Sequence, residues 1–175
     1  GREFKRQLEQ RWQKLYRLAF AWTQDAQLAA DLAQDTAAKA LKNWRQLKDM
    51  QSMNAWLFRI LANCWRDHGR KKRDLIDIDE IEIEGDSDPE RASSRFELIK
   101  KVRTAMAKLS PEQNQIVTLI DLEECSYGDV AAILDIPIGT VMSRLCRARR
   151  NLLGHLQNAD TGNNSDVTNI FRIKK

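Results

Sequence analysis

Apolar residues recur along most of this chain at spacings of three and four, the period of an amphipathic helix. Leu8, Trp12, Leu15, Tyr16, Ala19 and Phe20 form the stripe of a first helix over about residues 3–22, with Arg6, Arg11, Lys14 and Arg17 elsewhere on its surface. Trp12 and Phe20 read most simply as core. Thr23-Gln24-Asp25 breaks the pattern and offers a cap for a second helix over about residues 26–44. Its centre, DLAQDTAAKAL, is alanine-rich, so the buried side is thin and close packing on another helix is expected. Asp31, Gln34, Asp35 and Lys42 lie along an adjacent polar face, which by pattern alone is a solvated one. A polar loop over residues 45–54, containing Met50 and Met53, leads into AWLFRILANCWRDHGRKKR. Trp56, Leu57, Ile60, Leu61 and Cys64 are predicted to cover the core side of this third helix.

Residues 74–94 break with their surroundings. Ile alternates there with Asp or Glu at a strand-like period of two, but a lone strand is not stable, so the segment reads as an extended acidic linker. Helical period then resumes, with Phe96, Ile99, Val102 and Met106 on one side of a helix ending near Leu109. Ser110-Pro111-Glu112-Gln113 supplies a cap, a first-turn proline and a capping-box Gln for a helix carrying Ile116, Val117, Leu119, Ile120 and Leu122. Ser126 and Asp129 form a second capping box, followed by the apolar face Val130, Ala131, Ile133 and Leu134. Asp135-Ile136-Pro137 stops that helix, because proline disfavours the helical conformation in the residue before it. Gly139 and Thr140 open a last helix with Val141, Leu145, Ala148 and Leu152 as its stripe. Beyond Asn158 the chain is polar apart from Ile170, Phe171 and Ile173. The expected fold is all-α: two small helical domains, 1–73 and 96–158, joined by the linker 74–95 and followed by a polar tail, 159–175.

What faces away from the last stripe points to function. Ser143, Cys146, Arg147 and Arg150 are directed outward, Thr140 and Met142 border them, and Arg144 and Arg149 flank them. Four arginines and no acid within a dozen residues, on a helix anchored by a capped one before it, describe a helix-turn-helix offering a recognition helix to a major groove. An ordinary helical hairpin with a solvated basic face is the plain alternative. Charge is also segregated along the chain. Residues 1–71 carry 14 basic and 7 acidic side chains, residues 72–98 carry 4 and 10, and residues 99–175 carry 11 and 8. Two basic ends around an acidic middle suggest two nucleic-acid-facing modules and a linker. At the end of the third helix Arg66, Arg70, Lys71, Lys72 and Arg73 face only Asp67. Cations there complement the helix dipole, but five within eight residues exceed that need, and phosphate binding is the better reading. Trp65 is open between base stacking and core.

The chemistry-bearing residue types exclude more than they offer. Three cysteines, Cys64, Cys125 and Cys146, form no CxxC pair, so no disulfide framework is expected and a reducing cytoplasm is the natural setting. Cys64 and His68 stand one helical turn apart with no second pair near in sequence, so no metal is expected. There is no signal-peptide pattern and no apolar run long enough to cross a membrane. A phosphate-cradling glycine loop, paired histidine ligands and a nucleophile–base pattern are all missing from the sequence, so neither enzymatic activity nor a cofactor is expected.

The run IPIGTVMSRLCRARRNL resembles the minus-thirty-five-reading end of an extracytoplasmic-function (ECF) sigma factor, and LSPEQNQIVTLIDLEECSYGDVAAIL fits the same family. In the front half, Asp31-Leu32-Ala33-Gln34-Asp35-Thr36 resembles the DLVQET-like helix that docks on the clamp helices of core RNA polymerase in these factors. Ala37 and Leu41 replace the family's usual aromatics, and Trp44 is placed to supply the bulk. The resemblance, covering about residues 3–157, implies core docking by Asp31, Gln34, Asp35 and Thr36. It implies minus-ten recognition and strand opening by Met50, Ser52, Asn54, Arg59, Asn63, Arg66, Arg70 and Lys71, the loop capturing a flipped base. Minus-thirty-five recognition falls to Thr140, Met142, Ser143, Arg144, Cys146, Arg147, Arg149 and Arg150. Core RNA polymerase, promoter DNA and an anti-sigma factor are the implied partners, and the acidic linker would thread a basic polymerase channel. Some twenty extended residues reach about 70 Å, enough for two elements one and a half to two DNA turns apart, about 50–70 Å. Two other readings remain: a helix-turn-helix regulator binding operator DNA without polymerase, and a helical adaptor whose basic patches serve protein partners.

Overall fold

Capping chemistry sets most of the boundaries. A computed structural model describes residues 1–75 and 94–159, with side chains at 1–71 and 95–158. Most of the acidic linker and the polar tail lie outside these described residues, as do the side chains of Lys72 and Arg73. Helix α1 (Arg2–Thr23) ends at Gln24, whose left-handed backbone (φ 54°) lets its N–H donate to the Phe20 carbonyl. Asp25 caps α2 (Ala26–Asn43) by accepting from the Leu28 N–H at 3.0 Å. Two short 3-10 turns, Trp44–Gln46 and Met50–Ser52, carry the chain to α3 (Met53–Leu75). Helix α4 (Ser94–Ala107) precedes α5 (Pro111–Val117), where both limbs of the Ser110–Gln113 capping box are formed. Helix α5 then widens into a π-helical turn, Thr118–Leu122, closed by the Glu123 N–H donating to the Thr118 carbonyl at 3.0 Å. The second capping box starts α6 (Tyr127–Leu134), Asp135 ends it in the left-handed region (φ 56°), and α7 (Ile138–Ala159) follows. No strand forms among the described residues.

Because the Ser126 hydroxyl accepts from the Asp129 N–H at 3.0 Å, Ser126→Ala leaves one first-turn donor without its partner. A loss of about 1 kcal/mol is expected, read as a lower urea midpoint with an unchanged slope.

In the first module α2 packs against α1 and α3, with Leu8, Leu15, Leu18, Leu32, Ala33, Leu57, Phe58 and Leu61 buried. Helix α3 departs from expectation. Phe58 is fully buried, whereas Trp56 and Ile60 are only half-buried. The reason is that α3 touches both α2 and α6, so more than one of its faces is covered. In the second module α5 and α6 pack on α7, where Val141, Leu145, Ala148 and Leu152 are all buried. Of the expected stripe, Phe96 and Ile99 stay 47% and 43% exposed and Val102 is half-buried, while Met106 is buried together with Ala105, and Leu109 just beyond α4. Only the C-terminal half of α4 is buried. Leu122 is also exposed, because a π turn carries extra residue per revolution and takes the following side chains off the α-helical stripe.

The two modules do not stand apart. Helix α3 packs on α6 and α1 on α5, and the buried apolar residues of both form one continuous core.

Candidate promoter and polymerase interfaces

Burial of one stripe of α7 decides what its other side offers. With Val141 and Ala148 wholly enclosed, Met142, Ser143, Cys146, Arg147 and Arg150 are exposed, and Thr140, Arg144 and Arg149 are half-buried beside them. Arg147 bends back only weakly, its Nε 3.4 Å from the Ser143 carbonyl, so its guanidinium fork remains directed outward. Arg149 is different. It donates to both carboxylate oxygens of Asp121 in the π turn, through Nε at 3.1 Å and through Nη2. The Asp121 hydrogen bond, ahead of an opposing effect of burial, holds the Arg149 pKa above its ordinary value. Arg149 is thus charge-compensated within the protein, and Arg147 is not.

The residues expected to meet the minus-ten element gather on the start and outer flank of α3. Met50, Ser52, Arg59, Asn63, Arg70 and Lys71 are exposed. Asn54 is half-buried, its Oδ1 accepting from Arg11 Nε at 2.8 Å. Arg11, which sequence reasoning did not single out, therefore orients the loop from α1. Arg70 donates to Asp67, and that bond is the main reason the Asp67 carboxyl sits below its usual range. Arg66 turns toward the other module: its Nη2 donates to the Leu134 carbonyl at the end of α6, at 3.1 Å. Trp65 is half-buried and stacks on His68, ring centroids 6.0 Å apart and planes 9° from parallel. Trp44 lies 6.3 Å from Phe4, which also meets Trp56 edge-on at 6.1 Å. This aromatic cluster fastens the loop to the start of α1. No local signal in the sequence joins residues forty positions apart.

On α2, Asp31, Gln34 and Asp35 are exposed along one face. Thr36, expected among them, is wholly buried and its hydroxyl donates to the Leu32 carbonyl at 2.7 Å. It falls on the stripe Ala29, Leu32, Ala33, Thr36 and Ala40, one turn on from the core-facing positions, and belongs to the packing. The acidic face borders an open groove of about 660 Å³ between α2 and α3, lined by Asp31, Asp35, Lys39, Cys64 and Asp67 among others. Burial there pushes the Lys39 ammonium down, but Cys64, Asp67 and Asp35 outweigh it and keep its pKa raised. Burial also pushes the Cys125 thiol up to about 11, with Asp129 and Glu123 adding to the effect, so that thiol stays protonated at neutral pH. Among the described residues no group of three or more His, Cys, Asp or Glu side chains converges as metal ligands would, and no helix is long and apolar enough to cross a membrane.

A helix-turn-helix with an arginine-bearing outer face, coupled to a helical module with its own basic flank and acidic face, defines a two-module DNA-binding transcription factor. Residues 8–74 match the sigma-70 region 2 family and residues 99–152 the sigma-70 region 4 family. The RNA polymerase sigma-H factor of Pseudomonas aeruginosa is 32% identical over 156 residues, covering 82% of this chain and 81% of that protein. The ECF RNA polymerase sigma factor EcfG of Rhodopseudomonas palustris is 32% identical over 135 residues, covering 77% and 74%. Among solved structures, the sigma factor RpoE in complex with the anti-sigma factor NepR from Bartonella quintana superimposes with a TM-score of 0.73 at 28% identity, covering 90% of this chain and 98% of that one. CnrH in complex with the cytosolic domain of CnrY gives a TM-score of 0.61 at 26% identity, covering 91% and 90%. The chain belongs to the extracytoplasmic-function group of RNA polymerase sigma factors. It is an alternative sigma factor that directs transcription initiation.

Proposed function

We propose that this sigma factor works through three surfaces divided between two modules, residues 1–73 and 96–158. Asp31, Gln34 and Asp35 on α2 dock on core RNA polymerase. Met50, Ser52, Asn54, Arg59, Asn63, Arg66, Arg70 and Lys71 engage the minus-ten element as it opens. Thr140, Met142, Ser143, Arg144, Cys146, Arg147, Arg149 and Arg150 meet the minus-thirty-five element. The observation that carries this reading is the two-sidedness of α7: its apolar stripe is buried to the last position, and its opposite side presents Arg147 and Arg150 to solvent. The chain supplies recognition and strand opening, and bond-making chemistry belongs to the polymerase. It acts in the cytoplasm, where its template lies, and an anti-sigma factor, such as the one bound to the sigma factor RpoE in the neighbouring structure, is its natural antagonist.

Run-off transcription with purified core enzyme tests the reading. Promoter-specific transcripts that require the chain are expected. Tight duplex binding by the free protein, with no transcripts on adding core enzyme, would point to an operator-binding regulator instead. Within this reading Arg147→Ala is expected to lose about 1–3 kcal/mol of discrimination at a single base position. Arg144→Ala is expected to weaken all sequences alike, and Arg149→Ala less so because Asp121 already compensates its charge. Equal losses across a panel of minus-thirty-five variants for Arg147→Ala would remove it from base reading. Met142 offers an apolar contact, such as to a thymine methyl, which salt should hardly weaken.

A further inference from the structure

We propose that Asn54 reads one base of the minus-ten element through its amide N–H donors alone, and that Arg11 is the positioning residue that fixes this polarity. An asparagine by itself commits to neither role, because its amide can present the carbonyl or the amino end. Asn54 has no such freedom. Its Oδ1 accepts from Arg11 Nε at 2.8 Å, and a guanidinium has only donors to offer. Arg11 is fixed in turn, its Nη1 donating to the Gln7 carbonyl at 2.9 Å and to Gln7 Oε1 at 2.5 Å. Gln7 Nε2 then donates to Glu3 Oε1 at 2.8 Å. The relay runs from a carboxylate, which only accepts, to a guanidinium, which only donates. Neither the Gln7 nor the Asn54 amide can flip without setting donor against donor.

The amino end of Asn54 is left to the outside. Its Nδ2 donates to no group among the described residues and is not buried, at the start of α3 and two residues after the exposed Ser52. The ordinary pairing of asparagine with adenine uses both ends of the amide, Oδ1 taking the N6 amino group and Nδ2 reaching N7. With Oδ1 held by Arg11, that pairing is closed to Asn54. A donor-only group suits a base carbonyl oxygen instead, which guanine, thymine and cytosine carry and adenine lacks. Asn54 thus selects against adenine at the position it meets. A residue of α1, 43 positions away in sequence, sets that choice.

The proposal rests on the minus-ten role of this part of α3. Holoenzyme tests it on promoters that carry each of the four bases in turn at every minus-ten position of the non-template strand. Competition binding gives the preference at each position as a ratio, so a general change of affinity cancels. Unmodified holoenzyme should disfavour adenine at one position by about threefold to tenfold, the worth of a single hydrogen bond. Asn54→Ala should level that position and leave the others unchanged. Arg11→Met, which frees Oδ1 and keeps a long side chain, should raise adenine at the same position. With Asn54→Ala already present, Arg11→Met should change nothing there, whereas a merely structural or electrostatic role for Arg11 would act equally in both backgrounds. Asn54→Asp keeps an acceptor for Arg11 and turns a second one outward. It should raise adenine over thymine, because adenine has an amino donor where thymine has a carbonyl. Should Arg11→Met lose helical signal, Asn54→Asp decides, since it leaves Arg11 in place. Discrimination that survives Asn54→Ala at every position, or an Arg11→Met effect that does not depend on Asn54, would overturn the proposal. Failure of the unmodified chain to give promoter-specific transcripts with core enzyme would overturn the functional reading as well, and that failure is read before any variant is made.

Discussion

Asp35→Arg is expected to abolish assembly with core RNA polymerase. Asp35 is exposed on α2 with Asp31 and Gln34 on the same face, and its carboxylate faces the groove it shares with Lys39. A docking surface of this sign requires a basic counterpart, and reversing one charge sets like against like at the contact, which costs several kcal/mol. Affinity should fall by at least about a hundredfold. Stability should not follow it down, since a surface substitution away from caps and buried networks moves folding by no more than about 0.5 kcal/mol. The paired measurement is holoenzyme formation against core enzyme together with thermal unfolding of the free chain. Wild-type assembly by a well-folded Asp35→Arg protein would move the docking face elsewhere. Thr36→Val makes a useful contrast. Its hydroxyl is internal, so the effect should appear in stability and not in polymerase affinity.

Phe58→Ala is expected to produce the largest loss of stability. Phe58 is 2% exposed and lies where α3 is covered from more than one side, with Lys14 Nζ 5.9 Å from its ring centre. Removing a buried phenyl ring loses both its transfer free energy and the contacts around the cavity left behind, about 3–5 kcal/mol. Against a total stability of about 5–15 kcal/mol that is a large fraction. The melting temperature should fall by roughly 6–20 °C at this chain length. Phe58→Leu, which keeps most of the volume, should cost far less. A small shift for Phe58→Ala would mean that neighbouring helices collapse into the vacated space, so that α3 is less tightly held than its burial indicates.

Local chemistry was legible in the sequence and long-range chemistry was not. Asp25, Ser110 and Ser126 cap helices within three residues of themselves, so the starts of α2, α5 and α6 were readable from adjacent side chains. The two-sided character of α7 was readable for the same reason: Val141, Leu145, Ala148 and Leu152 on one side and arginines on the other depend only on the helical period. Composition and order also carried the two-module plan. Periodicity says which side of a helix is apolar, but not how many neighbours will cover it. Phe58 is buried because α3 is shared between α2 and α6, and Phe96 and Ile99 stay exposed because only the far half of α4 meets the core.

Thr36 was misread for a different reason. Its place beside Asp35 in a docking-like run outweighed its place on the stripe of Leu32 and Ala33, although the stripe was visible. The partners of Arg11, Trp22, Arg66 and Arg149 lie 43, 96, 68 and 28 residues away. No spacing rule connects such positions. Only folding brings the indole of α1 to the π turn, and only folding sets Arg66, on a helix that reads as a DNA-facing surface, against the Leu134 carbonyl of α6. Which cations this chain could offer to DNA was a property of its sequence; which of them are free to do so was decided by the packing of α1 and α3 on α5 and α6.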